Sequence, residues 1–501
     1  MKVYNKVIKT IYITAGVFMA SACTKDFEQM NITPNKPSVV SSAVLLPAGI
    51  ESSVDRYWGH RDRFERINLD GGMLWVQYLA RNIYSDEGDN YSMSPAYYTN
   101  NWKGFYNDAL LNFQRIVVQS GPEGAAPNTN YEGIGLVMRS WVFSLLTDIY
   151  GAIPYSEALQ GTAATPIYTP KYDSQEEIYA GLLEDLKLAN EKLVVGGPTV
   201  TGDILFGNPL TNYTSDISRW KKFANSLRLK LANRQAAKRP AESRAIMEEI
   251  LADPVKYPIF TSNADYAVLN HSSVRPSNNE WHEVMIQGGR TDWNLSKTLV
   301  DKLQALNDPR LTVFGNPVNI NGTPQYVGAP NGLPDAIATN YLASTSTLGN
   351  YFTAATTPSV IMNYAELLFT LAEAAYDGDI AGDAQQYYEQ GIAASFGQYG
   401  LTMPADYLTN AGPATKENIL TQKWIALFGE GIEAWTEYRR TGYPVLPARD
   451  PRAIFMNNGL VPTRLQYPSS EYSLNAKQLE TGITLNNGPD DKMTTRMWWV
   501  E

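Results

Sequence analysis

Residues 361–395, IMNYAELLFTLAEAAYDGDIAGDAQQYYEQGIAAS, decide how the chain reads as a fold. Tyr364, Leu368, Leu371 and Ala375 recur every three or four positions, the period of one helix face. Gly378 follows that run, where a helix tends to end in a left-handed residue. The period resumes over 383–395 with Tyr387, Tyr388 and Ile392. Ala372, Ala375 and Gly391 are small enough to let two helices approach closely. Two short helices with small residues at their crossing make a tetratricopeptide-type unit. Residues 133–195 form a looser second candidate. No strict 34-residue repeat runs through the chain, so any such units are degenerate.

The same period extends outward. Ile134, Met138, Trp141, Val142, Leu145 and Ile149 line one face. Ser174 with Glu177 is a capping-box signature ahead of Ile178, Leu182, Leu186, Ala189 and Leu193. Ile217, Trp220, Ala224, Leu227 and Leu231 mark another helix, and 241–252 a further one. Leu420, Trp424, Leu427, Phe428, Gly431, Trp435 and Tyr438 predict one long helix ending before Gly442 and Pro444. Residues 253–357 and 444–490 are instead dense in Gly, Pro, Asn, Thr and Ser. Irregular stretches of this length inside a compact chain are usually functional excursions. The expected architecture is mostly α: a single domain over 43–501, with helical scaffold at 43–252 and 358–443 and loop-rich excursions at 253–357 and 444–490.

Composition narrows the chemistry. The 501 residues carry 41 Lys and Arg against 51 Asp and Glu, a net charge of −10, so a nucleic-acid partner has no electrostatic footprint. One Cys excludes an intramolecular disulfide, a CxxC pair and a zinc–thiolate cluster. That cysteine, Cys23, follows Ala20-Ser21-Ala22. Lys2, Lys6 and Lys9 precede an apolar run from Thr10 to Ala20, too short for the ~20 residues of a bilayer crossing. Residues 1–22 therefore read as a lipoprotein signal peptide, with Cys23 as the lipidated residue of a lipobox-like site. Its removal takes away three lysines and no acids, leaving −13. Thr24 to Glu28 resemble an acidic surface-export signal, interrupted by Phe27, and 23–42 a tether. The expected location is the outer membrane, lipid-anchored and facing outward.

The search for catalytic machinery is poor. His60, His271 and His282 are the only histidines and read as exposed loop residues. His282-Glu283 lacks the second His of HExxH, and no GxSxG elbow, P-loop or GxGxxG is present. No cofactor is implied and no catalytic residue is assigned. Asp86, Glu87 and Asp89 make only a weak calcium candidate, without the Gly and distal Glu of an EF-hand loop. A carboxylate pair for glycoside hydrolysis remains an alternative in a chain of 51 acids.

Aromatic usage is more informative, with Tyr 31 against Phe 15. Sugar rings present an apolar face and a hydroxyl rim, which a flat aromatic beside polar side chains matches. Trp75, Tyr78, Trp102 and Tyr106 stand at helical spacing and read as core. Tyr57, Trp58, Tyr91, Tyr97, Tyr98, Trp281, Trp293, Tyr326 and Tyr351 read as loop aromatics and candidate ligand contacts.

Together these pieces resemble the SusD/RagB family of outer-membrane nutrient-binding lipoproteins. The resemblance is carried by DFEQMNITPNKPS at 26–38, and by WVQYLARNIYSDEGDNY at 75–91 with NWKGFYNDAL at 101–110, similar to a first helical hairpin. It continues in VMRSWVFSLLTDIYGAIPYSEAL at 137–159, YDSQEEIYAGLLEDL at 172–186 and RWKKFANSLRLKLANR at 219–234. NDPRL at 307–311, MNYAELLFTLAEAAYDGD at 362–379 and ILTQKWIALFGEGIEAWTEYRRTGYP at 419–444 follow in order, then VPTRLQYPSSEYSLN at 461–475 and TRMWW at 495–499. These strings read as scaffold, with buried Trp and ion-paired Arg. The resemblance implies a tetratricopeptide-like superhelix with a loop-built binding face. It implies a non-enzymatic protein that captures an oligomeric nutrient and delivers it, as a hinged lid, to a SusC-like TonB-dependent barrel. A glycan is favoured over a peptide, and peptide-binding members exist.

Overall fold

The computed structural model describes residues 40–59, 65–161 and 165–500. Residues 1–22, read as a signal peptide, Cys23 and most of the segment read as a tether lie outside the described residues, as does His60. Ser42–Glu501 forms one compact unit. Its helices are α1 (Ser42–Trp58), α2 (Leu111–Ser120), α3 (Thr129–Tyr150), α4 (Gln175–Lys192), α5 (Ile217–Arg234) and α6 (Pro240–Ala252). These are followed by α7 (Lys297–Ala305), α8 (Tyr364–Tyr376), α9 (Ala384–Gln398), α10 (Lys416–Ala426), α11 (Gly431–Thr441) and α12 (Ala476–Leu485). Short strands β1 (Leu79–Arg81), β2 (Ala267–Leu269), β3 (Trp293–Leu295) and β4 (Ser359–Met362) pair antiparallel as β1 with β3 and β2 with β4. No described helix is long and apolar enough to cross a membrane.

Helix starts are chemically marked. Ser174 and Glu177 complete a reciprocal capping box on α4. Asn128, Asp216, Ser296, Asn363, Asp383 and Thr415 cap α3, α5, α7, α8, α9 and α10 with side-chain oxygens. Consecutive helices pack in pairs: α2 on α3, α3 on α4, α4 on α5, α5 on α6, and α8 on both α9 and α10. This is the stacking that the 361–395 pattern predicts, and α5 against α8 joins the two halves of the scaffold. Helix α3 is buried along nearly its whole length, so it forms the centre.

The structure departs from the sequence reading in three places. The helix predicted through 420–438 is two helices, because Gly429 turns the chain at φ +104° between α10 and α11. Gly431 then meets the 68–75 segment so closely that a Cβ there would lie 2.5 Å from the Met73 nitrogen. Residues 75–91 are not the first arm of a helical hairpin: β1 and a loop follow Trp75, and helix resumes at Thr99. The excursions are also not structureless, since 253–357 holds β2, β3 and α7, and 444–490 holds α12.

A buried charge network lies where five helices meet. Arg234 of α5 reaches Asp148 of α3 at 2.7 Å, Glu437 of α11 at 3.2 Å, and Glu433. Lys230 pairs with Glu366 at 3.0 Å and Glu433 at 3.3 Å. Lys423 takes Glu437 at 2.8 Å, and Arg440 takes Glu373 at 2.6 Å. Burial pushes the Glu366 carboxyl up to about 7, with Lys230 opposing and Glu433 adding to the shift. Burial pushes Glu373 the same way, but Arg440 and Lys416 overcome it and hold the group at about 2.

These directions set opposite pH dependences. Glu373 contributes stability above the ordinary carboxylate range and loses it as pH falls toward 2. Glu366 stays protonated in the fold where the unfolded chain has lost its proton, so its contribution falls as pH rises from about 4.5 to 7. Denaturant midpoints should therefore decline between pH 5 and 7 in the parent, and decline less in Glu366→Gln. Identical profiles would remove Glu366 as the cause.

Candidate functional site

The ribbon of β1 and β3 carries the most heavily supported loop of the molecule. Arg81 ends β1, opposite Trp293. Its guanidinium is 2% exposed and pairs with Glu87 at 3.0 Å, Asp292 at 3.1 Å and Asp70 at 3.8 Å. Burial works against that charge, and Asp70, Asp292 and Glu87 more than offset it. Trp293 lies beneath, with Arg66 and Arg81 5.4 and 5.5 Å from its ring centre and its Nε1 donating to Asp70 at 3.2 Å.

The loop leaving β1 is pinned on both sides of Tyr84. The Asn82 amide donates to the Asp292 carbonyl at 2.8 Å, and the Ser85 hydroxyl to the Leu333 carbonyl at 2.7 Å. Buried Asp89 accepts from Asn331 at 2.7 Å and from the Gly332 and Arg81 amides; burial pushes it up to about 6, against those bonds. Between these anchors Tyr84 adopts φ +57°, a conformation that costs a bulky residue ~1–3 kcal/mol. Its ring is 45% exposed, with Arg290 at 5.4 Å and Arg81 at 5.9 Å from the ring centre. Arg290 is held by Asp292, and the Tyr97 hydroxyl donates to Glu87. An exposed aromatic plate is thus surrounded by guanidinium, carboxylate and phenol groups on a braced ribbon.

The sequence candidates fall into three groups. Tyr57, Trp58, Tyr91, Tyr98, Trp281 and Trp293 are buried, and correct the reading of them as open loop aromatics. Tyr57 and Trp58 lie on the last turn of α1, against Trp141 and Trp281. Trp58 donates to the Val360 carbonyl at 2.8 Å and Trp281 to the Trp58 carbonyl at 2.7 Å, so both indoles are structural. Tyr91 packs on Phe455, and Tyr98 faces Tyr150. Tyr326 is half-buried beside a small hairpin, and Tyr351 is 37% exposed while packing on Phe352 and Tyr399. Tyr97 alone is both accessible and part of the cluster. Tyr84 stood in the same aromatic-rich stretch, but its left-handed backbone, which turns it outward, has no sequence signal.

The calcium reading is also corrected. Asp89 is consumed by loop hydrogen bonds and Glu87 by Arg81 and Tyr97, leaving exposed Asp86. Among the described residues no group of three or more His, Cys, Asp or Glu is placed to hold a metal ion. His271 and His282 are half-buried rather than exposed: their ring nitrogens meet Ser359 at 2.8 Å and the Thr353 carbonyl at 2.9 Å.

A helical scaffold thus presents a braced loop of aromatic and charged side chains. The chain belongs to the SusD-like family, described as starch-binding and associating with the outer membrane, whose model matches residues 34–468. Members of this family are binding proteins with a tetratricopeptide-like helical fold, not enzymes. A solved chitin-binding protein is 30% identical over 92% of this chain and 100% of its own, with a TM-score of 0.79. A chitin-binding SusD homologue from Flavobacterium johnsoniae is 24% identical over 91% of this chain and 98% of its own, with a TM-score of 0.77. A SusD homologue from Bacteroides uniformis, also 24% identical, covers 92% and 98% with the same TM-score and shares the fold. The sequence matches no curated protein.

Proposed function

We propose that the chain binds an oligosaccharide at the Tyr84 surface and passes it to a SusC-like TonB-dependent barrel, which it covers as a lid from a lipid anchor at Cys23. The observation that carries the binding reading is Tyr84 itself, an exposed ring in a strained backbone between Arg81 and Arg290. A sugar's C–H face would lie on the ring, while Arg290, Glu87 and the Tyr97 hydroxyl meet its hydroxyl rim. The chitin-binding relative makes a β-linked N-acetylglucosamine chain the first ligand to try. Capture between lid and barrel requires only moderate affinity, which one stacked ring and a few hydrogen bonds supply.

The test is calorimetry with N-acetylglucosamine hexamer. Tyr84→Ala should weaken binding by ~1–3 kcal/mol with unchanged thermal melting. Unaltered affinity would move the site elsewhere, and binding of peptide pools without any oligosaccharide would replace the glycan reading.

A further inference from the structure

The two loop-rich excursions meet at a small cavity against α7, which shares no residue with the Tyr84 cluster. It encloses about 170 Å3, enough for one small ring rather than a drug-sized ligand. Gln77, Thr298, Asn331, Arg449 and Phe455 line it, with Pro330, Pro447 and Ala448 as an apolar wall. Gln77 is 7% exposed at φ +57°, so β1 is entered and left through two left-handed residues, Gln77 and Tyr84. Such strain persists where the surroundings over-determine it, and it clusters at ligand sites. The Thr298 hydroxyl donates to the Gln77 side-chain oxygen. Asn331 is held by Asp89 at 2.7 Å and the Leu79 carbonyl at 2.8 Å. This part of the lining is therefore fixed before any ligand arrives.

Arg449 is the residue that sets the cavity's chemistry. Its guanidinium lies 4.6 Å from the centre of the Phe455 ring. Gly459, at φ +71°, lets it pass, since a Cβ there would lie 2.0 Å from the Arg449 Nη1. Phe455 is itself fixed: it packs on Tyr91 at 4.6 Å between ring centres, and against Gly332, where a Cβ would lie 2.3 Å from its Cζ. Among the described residues no carboxylate pairs with Arg449 and no acceptor takes up its N–H groups. The two acids at the rim are engaged elsewhere, Asp301 with Lys297 at 2.6 Å and Asp450 with Arg452 at 2.7 Å. Arg449 is thus an arginine placed by stacking and a glycine rather than by an anion. Stacking covers the face of the guanidinium and leaves the N–H groups in its plane free to meet a carboxylate. Holding the fork in advance also lowers the ordering cost that makes most surface ion pairs weak.

We propose that this cavity is a second ligand site, taking a sugar ring that bears a carboxylate. The carboxylate would accept from the in-plane N–H groups of Arg449, and a ring hydroxyl would donate to the Thr298 oxygen, whose own proton is already given to Gln77. The apolar wall would meet the C–H face of the ring. A methyl ester of the same sugar keeps the shape and loses the charge, so the site discriminates acid from ester. The sugar assignment rests on the carbohydrate reading above, whereas the preference for an anion rests on Arg449.

The experiment uses calorimetry on the Tyr84→Ala protein, so that the first surface contributes least. Probes are galacturonic acid trimer, its methyl ester and a Gly-Gly-Asp peptide. The acid trimer should bind at least tenfold more tightly than the ester. Adding Arg449→Gln should weaken the acid at least tenfold, down to the level of the ester, with unchanged thermal melting because Arg449 is exposed. Gly459→Ala keeps the arginine but pushes its guanidinium aside, and should weaken the acid threefold or more. Equal binding of acid and ester, no binding of the acid, or indifference of acid binding to Arg449→Gln would overturn the proposal. Tighter binding of the peptide than of the acid trimer would overturn the sugar assignment. The two sites fail separately: if Tyr84→Ala leaves binding of N-acetylglucosamine hexamer unchanged, the first site fails and this one is still tested.

Discussion

Replacing Arg234 by Met should cost ~3–5 kcal/mol of folding stability, read as a lower denaturant midpoint. The guanidinium is 2% exposed and bridges Asp148, Glu433 and Glu437, which come from two other helices. Met fills most of the volume but leaves three carboxylates with one cation fewer. Other partners soften the loss. Lys230 still reaches Glu433 at 3.3 Å, and Lys423 and Arg440 still reach Glu437 at 2.8 and 2.7 Å. Asp148 keeps Tyr179 at 2.6 Å and Trp499 at 3.0 Å. The double variant Arg234→Met with Glu433→Gln should recover ~1 kcal/mol or more, because the two changes act on one network. A single-variant loss below ~1 kcal/mol would mean that water reaches these carboxylates. As a contrast, Arg452→Met at the exposed pair with Asp450 should leave the midpoint where it is.

Replacing Arg81 by Met should lower both stability and ligand affinity, which separates it from Tyr84→Ala. Arg81 is the keystone of the candidate surface, joining Asp70 beneath the ribbon, Asp292 on the adjacent strand segment and Glu87 in the loop. Without it Asp70 retains Arg66 at 3.4 Å and Asp292 retains Arg290. Stability should therefore fall by ~2–3 kcal/mol, somewhat less than the ~3–5 kcal/mol of a broken buried pair left with no other partner. Glu87, and with it Tyr97, loses its fixed position, so affinity for N-acetylglucosamine hexamer should drop tenfold or more. Arg81→Lys restores charge but not the planar fork, and should recover stability more than affinity. Undiminished binding by folded Arg81→Met protein would exclude the Tyr84 surface as the ligand site.

Much of the scaffold was legible in sequence because helix signals are local. The period through Tyr364 to Ala375 and the Ser174–Glu177 capping box need only neighbours within two turns. Family membership followed from the order of many weak strings. The candidate site was far less legible. Loop position was inferred for Tyr57 and Trp58 from the polar residues around them, yet they end a helix whose inner face is core. The Trp281 indole donates to the Trp58 carbonyl across 223 residues, a pairing that no local pattern encodes.

By itself the sequence determined that this is a mostly helical chain with capped, paired helices and loop-rich excursions. It also settled that intramolecular disulfides and zinc–thiolate clusters are unavailable to a chain with one cysteine. Only the tertiary structure decided which aromatics are plates and which are core. Burial depends on what arrives from elsewhere in the chain: Trp293 is covered because β1 brings Arg81 over it, whereas Tyr84, three residues beyond Arg81, is turned outward by a backbone anchored to Leu333 and Asp292. The same holds for charge. Glu366 and Glu373 look alike on one helix, but burial outweighs Lys230 at the first, whereas Arg440 and Lys416 outweigh burial at the second, so they are driven in opposite directions.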